Sequence, residues 1–371
     1  MPIRDLPDHP SLENLKHQAR SLQRRVRSGD AEAIALVREF DPGADLERVE
    51  EFPLTSAQLV TARSYGFASW RRLRALVDVV REHSRWPEPA PDDVPDVEDD
   101  PDALADRFLR LACLSYTHDR PQHTRWAREL LADHPEVATA SIHTMAAVGE
   151  VEAARPLLAD DPGLARRPGG PFGWEPLLYL TYSRVGDTAA GRSAIGMARL
   201  LLEYGVDPNA GYLWRGLRSP FTALTGAFGG GEQAQPPHPD SLAIARLLLE
   251  AGADPNDNQA LYNRMFTPEN DHLELLFEFG LGRDVGSPWR RRLGHTYPSP
   301  TQMVEEQLRW AADHGMIERV RLLLDHGVDP DGRGYHPAYG DRTAYQLAVA
   351  AGNREIADLL TQAGARTGGA E

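Results

Sequence analysis

The chain has 371 residues, is 41% hydrophobic and 26% charged, and carries a formal net charge of −15. That composition is ordinary for a folded, water-exposed protein, and no apolar run approaches the roughly 18 residues of a membrane span. The single cysteine, Cys113, excludes an internal disulfide and any cysteine-based metal cluster.

The first segment, residues 1–84, reads as a small helical domain. Leu12, Leu15, Ala19, Leu22 and Val26 recur every three or four residues and form one buried stripe. Gly29-Asp30 ends that helix, and "AEAIALVREF" makes a second. "LTSAQLVTARSYG" opens with Thr55 three residues before Gln58, the spacing of a capping box. A fourth helix places Trp70, Leu73, Val77 and Val80 on one face. Lys16, Arg20, Arg24 and Arg27, with Arg71, Arg72 and Arg74 after the Gly66 turn, give this segment a basic face and a helix-turn-helix rhythm.

Residues 85–103 read as an acidic, Pro-rich linker, extended by its own charge. The N-terminus lacks the apolar core of a secretion signal, which makes the cytoplasm the expected compartment. Arginine supplies 39 of the 40 bases, with Lys16 the one lysine; the bias matches a GC-rich bacterial genome.

Residues 104–371 repeat themselves. "LLEYGVDPNA" (201–210), "LLEAGADPND" (248–257) and "LLLDHGVDPD" (322–331) are near copies. Gly149, Gly315 and Gly352 each precede a leucine pair by seven or eight residues, the spacing of two short helices joined at a glycine turn. The second helix ends at Gly205, Gly252, Gly280, Gly327 or Gly364, where a left-handed cap is expected. Asp-Pro follows three of these and stops the helix.

These units resemble ankyrin repeats. "LLLEAGADPN" is similar to the end of such a repeat, and "ASIHTMAAVG", "EQLRWAADHG" and "TAYQLAVAAG" echo its opening. The resemblance implies an all-α solenoid of about seven divergent repeats, with second helices ending near 132, 159, 203, 250, 279, 325 and 362. It places His143 at a structural position, bonding backbone in the turn. The N-terminal segment is loosely similar to a helical module that precedes ankyrin repeats in some bacterial proteins.

Gaps between cap glycines exceed the ankyrin period, so loops are enlarged at 183–194, 228–241 and 284–302. The Gly-Gly-Gly in the second has no P-loop lysine and reads as a flexible loop. The loops before the first helices are rich in aromatics and arginine and contain no glutamate. In ankyrin proteins this connection lines the concave binding surface. Tyr212, Trp214, Arg215, Arg218, Trp289, Arg290, Arg291, Arg292, Tyr335 and Tyr339 are therefore the candidate partner-binding residues, of types that dominate binding hot spots.

No catalytic or zinc-binding motif appears, and no cofactor is expected. His238, His295 and His336 are the histidines that could meet if the insertions converge. The expected function is non-catalytic binding of a protein partner by a monomer. The alternatives are a DNA-associated regulator using residues 1–84, or a small-molecule binder or enzyme with its site in the inserted loops. Salt-dependent DNA binding would favour the first of these.

Overall fold

A computed structural model describes residues 4–88, 100–186, 191–284 and 286–367. The linker expected at 85–103, the loop at 183–194 and the tail after Gly364 therefore lie partly outside the described residues. Contacts divide the chain into two compact units. The first runs to Ser84 and includes Arg215–Arg218 and Arg292–Gly294; the second holds the remainder.

The first unit contains α1 (Leu12–Arg27), α2 (Ala31–Phe40), α3 (Leu54–Ser64) and α4 (Trp70–His83). Ser11, Asp30 and Ser69 cap three of them by accepting an N–H from the first turn. Leu15, Ala19, Leu22 and Val26 are buried, as the stripe predicts. Leu22 and Val26 join Val37, Phe52, Ala57 and Val60 in one core. The capping box expected at Thr55 does not form. Pro53, with extended backbone, takes the N-cap position, so helix α3 begins at Leu54 and Thr55 lies inside its first turn.

The second unit is built from helix pairs. They are α5 (Pro101–Ala112) with α6 (Pro121–Asp133), α7 (Ile142–Val148) with α8 (Val151–Asp160), and α9 (Pro176–Tyr182) with α10 (Ala194–Glu203). Then follow α11 (Ala223–Phe228) with α12 (Ser241–Glu250), and α13 (Asn258–Arg264) with α14 (Asp271–Glu278). After a short helix, α15 (Pro288–Leu293), come α16 (Pro300–Asp313) with α17 (Ile317–Asp325) and α18 (Ala344–Ala351) with α19 (Arg354–Gln362). The first helices pack one on the next from α5 to α18, and the second helices form a neighbouring row.

Each repeated decapeptide closes a second helix in the same way. Gly205 N–H donates to Leu202 O and Val206 N–H to Leu201 O; Gly252 and Ala253, Gly280 and Leu281, Gly327 and Val328, Gly364 and Ala365 do likewise. The five glycines have φ between 74° and 98°, where a Cβ would be strained. The residue after each glycine is buried, which adds the apolar contact of the left-handed cap.

The Asp-Pro-Asn that follows links one pair to the next. Asn209 Nδ2 donates to Gly252 O at 3.0 Å, and its Oδ1 accepts Asp254 N–H at 2.8 Å. Asn256 repeats this one unit on, with Arg283 O at 2.9 Å and Gly282 N–H at 2.8 Å. Hydrogen bonds at both ends of the buried amide offset its desolvation and tie one helix pair to the next.

One loop departs from the all-α expectation. Strands β1 (Gly211–Trp214) and β2 (Pro220–Thr222) pair antiparallel, with Tyr212 opposite Phe221. Gly211 permits the approach, because a Cβ there would meet Phe221 O at 2.9 Å.

Candidate functional site

The aromatic residues of the loops separate into those used to build the fold and those left at its surface. Tyr212 is 1% exposed and stacks on Trp174 with centroids 4.9 Å apart. Tyr182 and Phe221 complete this cluster with Tyr116, whose ring lies 5.2 Å from Phe221. Trp289 is 3% exposed, and its indole N–H donates to Asn209 O at 3.0 Å. Trp214 is half-buried and donates to Ser115 O at 3.0 Å. These side chains pack the enlarged loops against the helices.

The predicted arginines are dispersed. Arg215, Arg218 and Arg292 group with the first unit. Arg290 pairs with Asp284 at 2.7 Å, and Arg291 is exposed and donates to Gly286 O. Tyr335 is half-buried, with its N–H on Glu306 Oε2 at 3.2 Å. Tyr339 is buried and donates to Asp313 at 3.0 Å.

Three other arginines, silent in the sequence, fasten the loops from below. Arg184 donates to Pro236 O (2.7 Å), Thr181 O (3.0 Å), Ser183 O (2.8 Å) and Gly226 O (2.7 Å). Arg319 donates to Asn270 Oδ1 (2.8 Å) and to the carbonyls of Met265, Thr267 and Glu269. Burial lowers both guanidinium pKa values to about 10. Arg309 pairs with the buried Glu306 at 3.0 Å and donates to Arg333 O and Gly340 O, which lays the 331–343 loop along α16.

The Gly-Gly-Gly loop is a hydrogen-bonded turn, correcting its reading as a flexible loop. Gly231 N–H donates to Asn263 O at 2.7 Å, and Gly230 and Gln235 exchange backbone bonds. A Cβ at Gly230 would lie 2.4 Å from Asn263 O, so this seat admits only glycine.

The void among Asn209, Asp254, Asp257, Ser287, Trp289 and Tyr297 measures about 10 Å³, the space of one water. That is too small for an organic ligand at this place. Among the described residues no group of three or more His, Cys, Asp or Glu is positioned to hold a metal ion, so His238, His295 and His336 do not meet at one. His238 is buried, which lowers its pKa to about 3. His143 Nε2 donates to Arg167 O at 2.9 Å; its backbone partner lies in the connection to the next helix pair, not in its own turn. Cys113 is buried, and burial pushes its thiol pKa up, away from reactivity.

An aromatic stripe lies at the surface across the C-terminal ends of α13 and α16. Tyr262, Phe266 and Trp310 are each half-exposed. Tyr262 and Phe266 meet edge-to-face at 5.2 Å, and Phe266 and Trp310 at 5.1 Å. Trp310 stacks on His314 at 3.8 Å and approaches Tyr339 at 6.5 Å. Tyr262 donates to Glu232 at 2.7 Å. Sequence reasoning missed Tyr262, Phe266 and Trp310. The i, i+4 spacing of Tyr262 and Phe266 and the tryptophan in "EQLRWAADHG" were the available signals.

A family model described as Ankyrin repeats (many copies) matches residues 308–361, from Leu308 in α16 to Thr361 in α19. That segment carries ankyrin repeats. Such repeats generally mediate protein–protein interaction. Trp310, His314 and Tyr339 of the stripe lie inside the matched segment. No curated protein matches the chain. No helix among the described residues is long and apolar enough to cross a membrane.

Proposed function

We propose that this chain is a non-catalytic binding protein, with the ankyrin pattern extended over all the helix pairs from α5 to α19. Its second unit takes a protein partner on the first-helix row, with Tyr262, Phe266 and Trp310 as anchors. The carrying observation is the stripe itself: three half-exposed aromatic rings in edge contact across two successive helix pairs. Aromatic anchors of this kind supply large contact area for little lost side-chain freedom. The loop residues keep a part where they reach solvent, at Arg215 and Arg291 and, half-exposed, at Trp214, Arg218, Arg290, Arg292 and Tyr335.

Site-specific photocrosslinking tests this. A benzophenone amino acid replaces Phe266 in the full chain, expressed in the cells that produce it. The same residue placed at Leu157, exposed on α8, is the control. The expected result is a discrete protein adduct at position 266 that Trp310→Ala abolishes, with none at 157. Equal labelling at both positions, or none at 266, contradicts the proposal.

A further inference from the structure

The first unit carries a groove apart from the basic face that its sequence predicts. This groove, of about 300 Å³, opens between α1, α2 and α3. Residues 17, 18, 21, 22 and 25 share one face of α1, and 61, 64 and 65 share one face of α3, so two helices present successive turns to the same space. Arg4 is brought to the rim by its backbone N–H, which donates to Ser64 O at 2.7 Å. Leu22 and Leu36 supply an apolar floor.

The polar lining is divided between hydroxyl oxygens on the α3 side and donors at Arg4, His17 and Gln18. Thr61 and Ser64 commit their hydroxyl protons to Ala57 O and Thr61 O, both at 2.8 Å. Tyr65 donates to Gln18 Oε1 at 3.0 Å, which orients that amide and leaves its Nε2 as a donor. The Arg4 guanidinium and the His17 ring have no hydrogen-bond or ion-pair partner among the described residues. Arg25 is largely committed to Asp30, at 2.7 and 3.0 Å, and to Glu32 at 3.1 Å. No carboxylate lines the groove.

Three open donors at one end of the space, on Arg4, His17 and Gln18, above a leucine floor select a ligand with an anionic head and an apolar body. We propose that the groove binds a small organic anion, a carboxylate or phosphate carrying a ring or short chain. Its head sits between Arg4, His17 and Gln18 Nε2, and its body covers Leu22 and Leu36.

The test is calorimetric titration of the full chain with phenyl phosphate, benzoate and inorganic phosphate. One site per chain is expected for a ring-bearing anion, at least about tenfold tighter than inorganic phosphate because the ring buries apolar surface. Whether benzoate or phenyl phosphate binds more tightly assigns the head group, and either preference supports the site. Arg4→Ala and His17→Ala should each weaken that ligand about tenfold, the loss of one charge-assisted bond. Arg20→Ala, exposed on α1 outside the groove, should leave it within about twofold, the scale of a distant screened charge. All three side chains are exposed, and unchanged helical circular dichroism confirms folding. No saturable binding of any probe overturns the proposal, as does a loss in Arg20→Ala equal to that in Arg4→Ala, which would mean diffuse charge attraction.

Discussion

The indole N–H of Trp289 donates to the backbone carbonyl of Asn209 across 80 residues of sequence, at 3.0 Å. Asn209 is also the residue whose amide bridges to Gly252 and Asp254 in the next helix pair. The loop between α14 and α16 is thereby tied to a link between successive pairs. Trp289→Ala should cost roughly 3–5 kcal/mol, the range for emptying a buried tryptophan site. Trp310→Ala, at a half-exposed ring, should cost under about 2 kcal/mol. Chemical denaturation of the two variants measures the contrast.

The asparagine links predict a graded series. Asn256→Ala removes the bonds to Gly282 N–H and Arg283 O and strands both groups. A loss of about 1–3 kcal/mol is expected. Asn256→Asp keeps the acceptor for Gly282 but sets a buried carboxylate oxygen against Arg283 O and against Asp254 Oδ1, which the amide meets at 3.0 Å, so at neutral pH its denaturation midpoint should fall below that of Asn256→Ala.

Arg319 is 1% exposed and fills its donors almost entirely with carbonyls of the segment leading into α14. Arg319→Ala leaves several carbonyls and the Asn270 amide oxygen unpaired, and should destabilise by roughly 3 kcal/mol or more. Arg319→Lys keeps the charge but cannot reproduce the fork, and should recover only part of the loss. Thermal unfolding of both variants checks the order.

Asp257 gives a pH dependence. It is fully enclosed, and burial raises its pKa to about 6 against the opposing bonds from Thr222, Ala260 N–H and Thr225. A raised folded-state value means the native protein holds this proton more tightly than the unfolded chain does. Its stabilising contribution is full below the unfolded carboxylate pKa near 4 and is lost as pH rises to about 6, by about 3 kcal/mol at most. Asp257→Asn, which keeps an acceptor for the N-cap bond, should remove that slope. Unfolding free energies of wild type and variant between pH 4 and 7 give the difference.

The helix ends were legible because a left-handed glycine cap is a local event. The glycine and the apolar residue after it are neighbours in sequence, and the five ends predicted from them, near 203, 250, 279, 325 and 362, fall within a residue of the helices observed. The loops were not legible, because the fate of an aromatic or arginine side chain is decided by partners far away in sequence. Tyr212 could not be seen as buried without Trp174 and Phe221. Arg184 and Arg319 gave no signal, because the carbonyls that define their roles, at Pro236 and Gly226 and at 264–269, lie 42–55 residues away. For the same reason the half-exposed aromatics of α13 and α16 escaped notice: helical aromatics read as core until a neighbouring pair fails to cover them.

The enlarged loops at 228–241 and 284–300 are built into the stack, and the proposed partner site on the first-helix row depends on that. Hydrogen–deuterium exchange on peptides covering 228–241 and 284–300 tests it most directly. The amides of Gly230, Gly231, Gln235 and His238 each donate to a backbone carbonyl, as does that of Arg291. They should exchange orders of magnitude more slowly than an unstructured chain. Exchange of both peptides at the unstructured rate would contradict the account and return these loops to the role of free binding fingers.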